Sequence, residues 1–148
     1  MRRHARMLLA VGLLMAAAGR QGRAADKDGD GIQGAWVPQS IQIDGRQLDK
    51  DELGEINMRV KGDRYTVTNG TQVADQGSFK LDPRQKPKAI DTTPGQGPDK
   101  GKTMPGIYEL SGDILKICVA VPGKERPGEF ASKAGSDQVL YILKRVKP

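Results

Sequence analysis

The stretch that decides the fold is residues 57–72, which read NMRVKGDRYTVTNGTQ. Apolar and polar residues alternate on both sides of Gly62-Asp63, and Asn69-Gly70 is the dipeptide most typical of a two-residue hairpin turn. These signals predict three consecutive antiparallel strands, Asn57–Lys61, Arg64–Thr68 and Gln72–Leu81. A chain that turns back on itself at such short intervals is typical of the all-β class.

The same pattern continues on both sides of this stretch. Five further segments are predicted as strands: Trp36–Ile43, Ala89–Thr92, Met104–Leu110, Ile114–Val121 and Asp137–Arg145. The one helical signal lies in Leu48–Glu55, where Asp49 can cap the first turn and Glu52 can complete a capping box. Most of these strands have one apolar and one polar face, as antiparallel strands around a core do. We therefore predict one domain, residues 34–148, folded as an eight-stranded antiparallel up-and-down barrel with one short helix, because closure leaves no free sheet edge.

The N-terminal residues predict export. Residues 1–6, MRRHAR, are basic, and Met7–Ala18 is an apolar run that ends in small residues, which is the order of a secretory signal peptide. The run is too short to span a bilayer as a helix. We expect removal of residues 1–24, which places the mature chain in the periplasm or outside the cell, without a membrane span. The acidic residues 25–33 are expected to form a flexible tail.

Charge limits the partners and ions that the mature chain can bind. The full sequence has a net charge of +6, but cleavage after Ala24 removes five arginines and leaves 19 basic against 18 acidic residues, a net charge of +1. Cleavage after Ala18 would leave +3. Neither value resembles the basic surface of a nucleic-acid binder, so no nucleic-acid partner is expected. Asp26–Gly31 resembles the start of a calcium loop, but Val37 stands where the last carboxylate is needed, so no metal site is predicted.

Few residues offer catalytic chemistry. The only histidine, His4, lies in the predicted signal peptide, which removes histidine-based triads and zinc sites from the mature chain. We therefore predict a non-catalytic protein without a cofactor. Most aspartates lie at turns, where aspartate caps the backbone. Asp75 is the exception: strict alternation points it into the barrel, whereas a bulge at Gly77 would point it outward, and we favour the bulge. The lone Cys118 is expected to be a small buried side chain.

Gly34-Ala35-Trp36 on the first predicted strand resembles the G-x-W signature of lipocalins. The resemblance implies that Trp36 plugs one end of the barrel and that a basic residue of the last strand, Arg145 or Lys144, packs across its ring. More of the chain is similar to a planctomycete-type family of exported domains with a lipocalin-like fold, from which no functional residue is carried over; the resemblance includes Lys61–Val67, Gly77–Pro83, Pro87–Asp91, Gly106–Leu110 and Leu115–Cys118. One departure from lipocalins is expected, since no helix that packs outside the barrel follows the last strand.

The long connections predict where a ligand would enter. In an up-and-down barrel alternate connections share an end, so Asp44–Ile56, Thr93–Thr103 and Pro122–Ser136 are expected at one rim. This rim carries Lys100, Lys102, Lys124, Arg126 and Phe130. A cationic rim around an apolar lumen suits an amphiphile with an acidic head. Arg126 is the residue expected to hold that head, because its planar fork fits a carboxylate or phosphate, and Phe130 is expected to line the entrance.

Two functions of different classes remain open at this point. The first is the binding of a small apolar or amphiphilic molecule in the lumen. The alternative is a protein-interaction or envelope-structural module with an envelope protein as partner. Eight-stranded barrels are only just wide enough for side chains or one small ligand, and several bulky side chains face inward here. The volume left empty in the lumen therefore separates the two functions.

Overall fold

The computed structural model describes residues 27–147, and the predicted signal peptide lies outside the described residues. Residues 27–31 form a helical turn, α1. The remaining elements are β1 (Gly34–Ile43), β2 (Arg46–Gln47), α2 (Lys50–Leu53), β3 (Ile56–Lys61), β4 (Arg64–Asn69), β5 (Gln72–Asp82), β6 (Ala89–Pro94), β7 (Met104–Ser111), β8 (Ile114–Ala120) and β9 (Gln138–Arg145). The eight predicted strands are all present. The predicted helix is shorter than its segment, and Asp49 caps it by accepting the Glu52 amide at 2.8 Å.

Eight long strands close into an antiparallel barrel. Each pairs with its neighbours in chain order, and β1 also pairs with β9, from Trp36 opposite Arg145 to Ile43 opposite Val139. The short β2 only extends the end of β1 through a tight turn. The predicted fold class, an eight-stranded up-and-down barrel, is confirmed. Closure stabilises this fold because every long strand has two partners and no edge is left unpaired.

The two ends of the barrel differ in what covers them. We call the end with the connections 44–55, 70–71, 95–103 and 121–137 the open rim. The other end, with the tight turns at 62–63 and 112–113 and the connection 83–88, is the closed rim, because α1 and the residues after it pack there. The three long connections start from one rim, as their order in the chain predicts.

The core begins at the closed rim and extends up the barrel. Its buried members are Ile32, Trp36, Val60, Phe79, Ile90, Tyr108, Leu115 and Leu143. Ile32 belongs to the segment expected to be a flexible acidic tail, and that expectation is wrong for residues 27–33. Apolar burial of Ile32 and the hydrogen bonds of Asp28 and Gln33 hold the segment against the barrel.

A second apolar cluster lies outside the barrel. Ile107, Cys118 and Leu140 alternate with inward-facing residues on β7, β8 and β9, and they are buried because the connection 121–137 folds over them. Phe130 packs against this cluster, and the Cys118 thiol donates to the Ala131 carbonyl at 3.3 Å. The loop thus covers an outer face of the sheet. Cys118 is buried as predicted.

The candidate ligand site in the barrel lumen

The lumen contains a cavity of about 310 Å³. Its wall is almost wholly aliphatic and aromatic, with contributions from every long strand. Four polar side chains interrupt this wall: Tyr65, Asp75, Thr92 and Tyr141. The bulky inward residues therefore leave a space that is mainly apolar and that carries one carboxyl group.

Trp36 and Arg145 build the floor beneath this cavity. Trp36 is fully buried, with 0 % of its surface exposed, and its Nε1 donates to the Ile32 carbonyl at 2.9 Å. The Arg145 guanidinium lies 4.4 Å from the centre of the indole ring, a cation–π distance. It also donates to the carbonyls of Gln33, at 2.8 Å, and Gly31. This is the contact expected for Trp36, made by Arg145, whereas Lys144 is exposed.

Asp28 fastens α1 to the same end. Its Oδ2 accepts from the Tyr108 hydroxyl at 2.6 Å and from Lys88 Nζ at 3.0 Å. Burial raises the pKa of Asp28, but the hydrogen bonds from Tyr108 and Lys88 outweigh it, so the pKa lies below its ordinary value. Burial and the same carboxylate raise the pKa of Tyr108, which stays protonated. The floor is therefore closed by groups whose charges and hydrogen bonds are matched.

The opposite end of the cavity reaches the open rim. Ile43, Leu48, Ile56 and Met104, which stand at or near the strand ends there, belong to its wall, and Ile43 is 43 % exposed. Deeper inward-facing residues such as Met58, Ile117 and Tyr141 are only half-buried. These three residues belong to the cavity wall, so their exposed surface faces the lumen, and the cavity extends from them to the open rim.

Asp75 points into the barrel by regular alternation with Phe79, and a β-bulge lies just before it in the chain. Asp75 lies opposite Val67 and Val73 lies opposite Thr68, so Ala74 is the extra residue in the β4–β5 pairing. Residues 74 and 75 both reach the cavity wall as a result. The outward orientation that we favoured for Asp75 is thus wrong, since the bulge is at Ala74 and not at Gly77.

Gly77 does not form the predicted bulge, and its lack of a side chain makes room for Tyr65. It lies opposite Tyr65, and a Cβ at this position would clash with the Thr93 carbonyl and would come within 2.9 Å of the Tyr65 hydroxyl. Because Gly77 has no side chain, the Tyr65 side chain can lie over this position of β5. Its hydroxyl then donates to Asp75 Oδ2 at 3.0 Å.

Tyr65, Asp75 and Tyr141 form the polar cluster of the lumen. Asp75 Oδ1 accepts the Gln76 amide at 2.8 Å. Burial raises the pKa of Asp75 despite its hydrogen bonds from Tyr65 and Gln76. Burial and the Asp75 charge raise the pKa of Tyr141 to about 12, and they raise that of Tyr65 further. Both tyrosines are therefore neutral hydroxyls at physiological pH, and Asp75 is the one carboxyl group of the wall.

The structure places Arg126 outside the barrel and not at the mouth. Its guanidinium donates to the carbonyls of Ile90, at 3.2 Å, and Gly106, at 2.8 Å, and to Asp91 Oδ1 at 2.8 Å. Ile90 and Thr92 line the lumen, so Asp91, between them, faces outward with Arg126. The predicted position of Arg126 at the ligand entrance is wrong because backbone carbonyls and Asp91 hold it on the wall of β6 and β7.

The other predicted ligand residues also lie off the cavity. Phe130 packs on the outer cluster with Cys118 and does not line the entrance, which corrects its predicted position. Lys100 and Lys102 are exposed in the connection 95–103 at the open rim, and neither belongs to the cavity wall. The structure does not bring these four residues together. Sequence reasoning missed Tyr65, Asp75 and Tyr141 as a group, although alternation alone pointed all three inward.

No family model, no curated protein and no solved structure matches the chain. Within residues 27–147 no three histidine, cysteine or acidic side chains are grouped as a metal site would need. No helix in that range is long and apolar enough to cross a membrane.

Proposed function

We propose that this barrel binds one small, mainly apolar molecule in its lumen, which enters through the open rim. The observation that carries the proposal is the apolar cavity of about 310 Å³ above a sealed floor. Ligand pockets span roughly 300–1,000 Å³, so the volume suits a small ligand. Eight-stranded barrels are wide enough either for packed side chains or for one small ligand, and here the side chains leave a cavity.

The wall supports binding through the hydrophobic effect. Inward-facing Met58, Ile117 and Tyr141 are half-buried without a ligand, so a ligand would cover apolar surface that water now reaches. Burial of such surface contributes about 25 cal/mol for each Å². The ordered floor of Trp36 and Arg145 limits the cost of ordering the site.

The alternative function depends on a filled core. A protein-interaction or envelope-structural module gains stability by packing its interior to ordinary density. The empty volume in the lumen favours the ligand-binding proposal over this module. The proposal includes export of the protein: the predicted signal peptide, residues 1–24, would place the binding site in the periplasm or outside the cell.

The proposal is tested by filling the lumen. Pyrene, a neutral probe without hydrogen-bonding groups, would be titrated with the mature protein, and the ratio of its emission bands would report an apolar environment. Val67→Trp and Ile117→Trp place a large ring in the cavity, whereas the matched variants Thr66→Trp and Lys116→Trp place it on the outer face of the same strands. We expect saturable binding by the wild type, weakened by about tenfold or more in the lumen variants and unchanged in the outer ones.

Thermal unfolding of each variant shows whether the barrel still folds. Saturable binding of pyrene that neither lumen variant weakens would place the site elsewhere and contradict the proposal. Failure of the folded wild type to bind pyrene or any of a set of small apolar probes would also contradict it, and would favour the interaction module.

A further inference from the structure

We propose that the lumen selects an apolar molecule that carries a protonated amine, and that the Asp75 carboxylate binds this amine. The inference rests on the proposed function, since it names the chemical class of the same ligand. The position of Asp75 carries this inference. Its carboxylate faces a mainly apolar cavity that extends to the open rim, and Asp75 is the fourth residue from the open-rim end of β5.

Asp75 has acceptor capacity left for a ligand. Each of its oxygens accepts one hydrogen bond inside the protein, Oδ2 from Tyr65 and Oδ1 from the Gln76 amide. An ionised carboxylate offers about four acceptor sites. Two sites therefore remain for donors, and the cavity is where a donor can approach.

The charge of Asp75 is not compensated within the described residues. No lysine or arginine belongs to the cavity wall, and residues 27–147 contain no salt bridge to this carboxylate. A carboxylate in apolar surroundings is unfavourable unless a cation or enough hydrogen bonds compensate it. A ligand ammonium supplies both, and the attraction strengthens as the ligand displaces water from the lumen.

The two tyrosines fit the same ligand class. The Tyr65 hydroxyl donates a hydrogen bond to Asp75 and so fixes the carboxylate in one orientation. Tyr141 is the fourth residue from the open-rim end of β9, and its neutral hydroxyl oxygen can accept a second ammonium hydrogen. The electron-rich faces of both rings also attract a cation. Carboxylate, hydroxyl and aromatic faces together form a receptor for an ammonium group.

The same cluster disfavours an acid. A fatty acid in this cavity would bring a second carboxylate towards Asp75, with no cation in the wall to separate the charges. An amphiphile with an acidic head was expected from the lysines and the arginine of the long connections. The Asp75 carboxylate in the lumen wall instead favours a ligand with a cationic head.

The test uses three probes with one chain and different heads: octylamine, octanol and octanoate. Each would displace pyrene from the mature protein at neutral pH, where the first is a cation, the second neutral and the third an anion. We expect octylamine to displace pyrene at about tenfold lower concentration than octanol, as a charge-assisted hydrogen bond implies, and octanoate to be weakest.

Asp75→Asn is the decisive variant, and Asp63→Asn, in the turn between β3 and β4 at the closed rim, is its matched control. We expect the octylamine-to-octanol ratio to fall to about one in the first variant and to stay at the wild-type value in the second. Should Asp75→Asn fail to fold, the pH dependence of the wild type replaces it. Octylamine binding should weaken as acid protonates Asp75, while octanol binding stays constant. The titratable groups that face Asp75 are Tyr65 from β4 and Tyr141 from β9, and neither titrates in that range.

The outcomes separate the two proposals. If no probe and no pyrene binds, the proposed function fails. If pyrene binds but octylamine has no advantage over octanol, or keeps it in Asp75→Asn, the amine inference is overturned while lumen binding stands. Tighter binding of octanoate than of octylamine would overturn it as well.

Discussion

Asp28 at the closed rim and Asp75 in the lumen are both partly buried aspartates that accept a tyrosine hydroxyl, and their remaining partners differ. Asp28 also accepts from Lys88, so its charge is neutralised, whereas the other partner of Asp75 among residues 27–147 is the Gln76 backbone amide. The pKa of Asp28 is lowered and that of Asp75 is raised. The closed end of the barrel thus pairs its buried acid with a cation of the same chain. Within residues 27–147 no salt bridge compensates the charge of Asp75 in the lumen.

The largest effect is expected from Trp36→Ala at the closed end. Truncation of this fully buried ring leaves a cavity and removes the support of Arg145, which should lower the free energy of unfolding by about 3–5 kcal/mol. Urea denaturation measures the change, with the exposed Val146→Ala as control. A midpoint equal to that of the wild type would show that this end carries no special stability.

Arg145→Met should have the next largest effect. The variant keeps much of the aliphatic volume but removes the cation–π contact and leaves the carbonyls of Gly31 and Gln33 without their donor. We expect a loss of about 1–3 kcal/mol in denaturation. Lys144→Met, one residue earlier and exposed, is the matched control and should change stability little. Equal losses from both variants would argue against the stacking of Arg145 as the cause.

Asp28→Asn should cost about 1–2 kcal/mol at neutral pH, because hydrogen bonds to a charged group are lost. The pKa of Asp28 is lowered on folding, so its contribution is complete above the ordinary value of 3.8 and is lost as the pH falls through the lower folded value. The difference in stability between wild type and variant should therefore shrink in acid. A difference that stays constant from neutral pH into this range would contradict the role of the Asp28 charge.

The smallest effect on stability, with the opposite pH dependence, is expected for Asp75→Asn. Folding raises the pKa of Asp75, so the protonated form is favoured in the folded state, and this stabilisation is lost as the pH rises through the folded value. At neutral pH the variant should be as stable as the wild type or slightly more stable. Thermal unfolding of the wild type and the variant from acidic to neutral pH measures this difference in stability. A loss at neutral pH as large as that of Asp28→Asn would remove the contrast between the two aspartates.

The barrel could be predicted from the sequence because its signals are local. Alternation and turn dipeptides such as Asn69-Gly70 fix neighbouring strands, and the observed strand bounds agree with the predicted ones to within two residues. The order of the long connections gave the rim from which each starts. These features depend on residues close together in the chain.

The site could not be predicted in the same way because it depends on distant contacts. The orientation of Asp75 was misjudged because a bulge was expected at Gly77, whereas the pairing with β4 is regular through Gly77 and the bulge lies at Ala74. Asp28 meets Tyr108 across 80 residues, which no local pattern shows. The path of the connection 121–137 could have been predicted from β8. Both faces of this strand are apolar around Cys118, and an apolar outer face has to be covered by another part of the chain.

A crystal of the mature protein soaked with octylamine tests the central comparison most directly. We expect the alkyl chain inside the lumen and the nitrogen about 2.7–2.9 Å from a carboxylate oxygen of Asp75, the range of a charge-assisted hydrogen bond. The floor of Trp36 and Arg145 should be unchanged. A chain bound on the outer wall, or a nitrogen directed away from Asp75 towards the open rim, would contradict the view that the lumen carboxylate is held for a ligand.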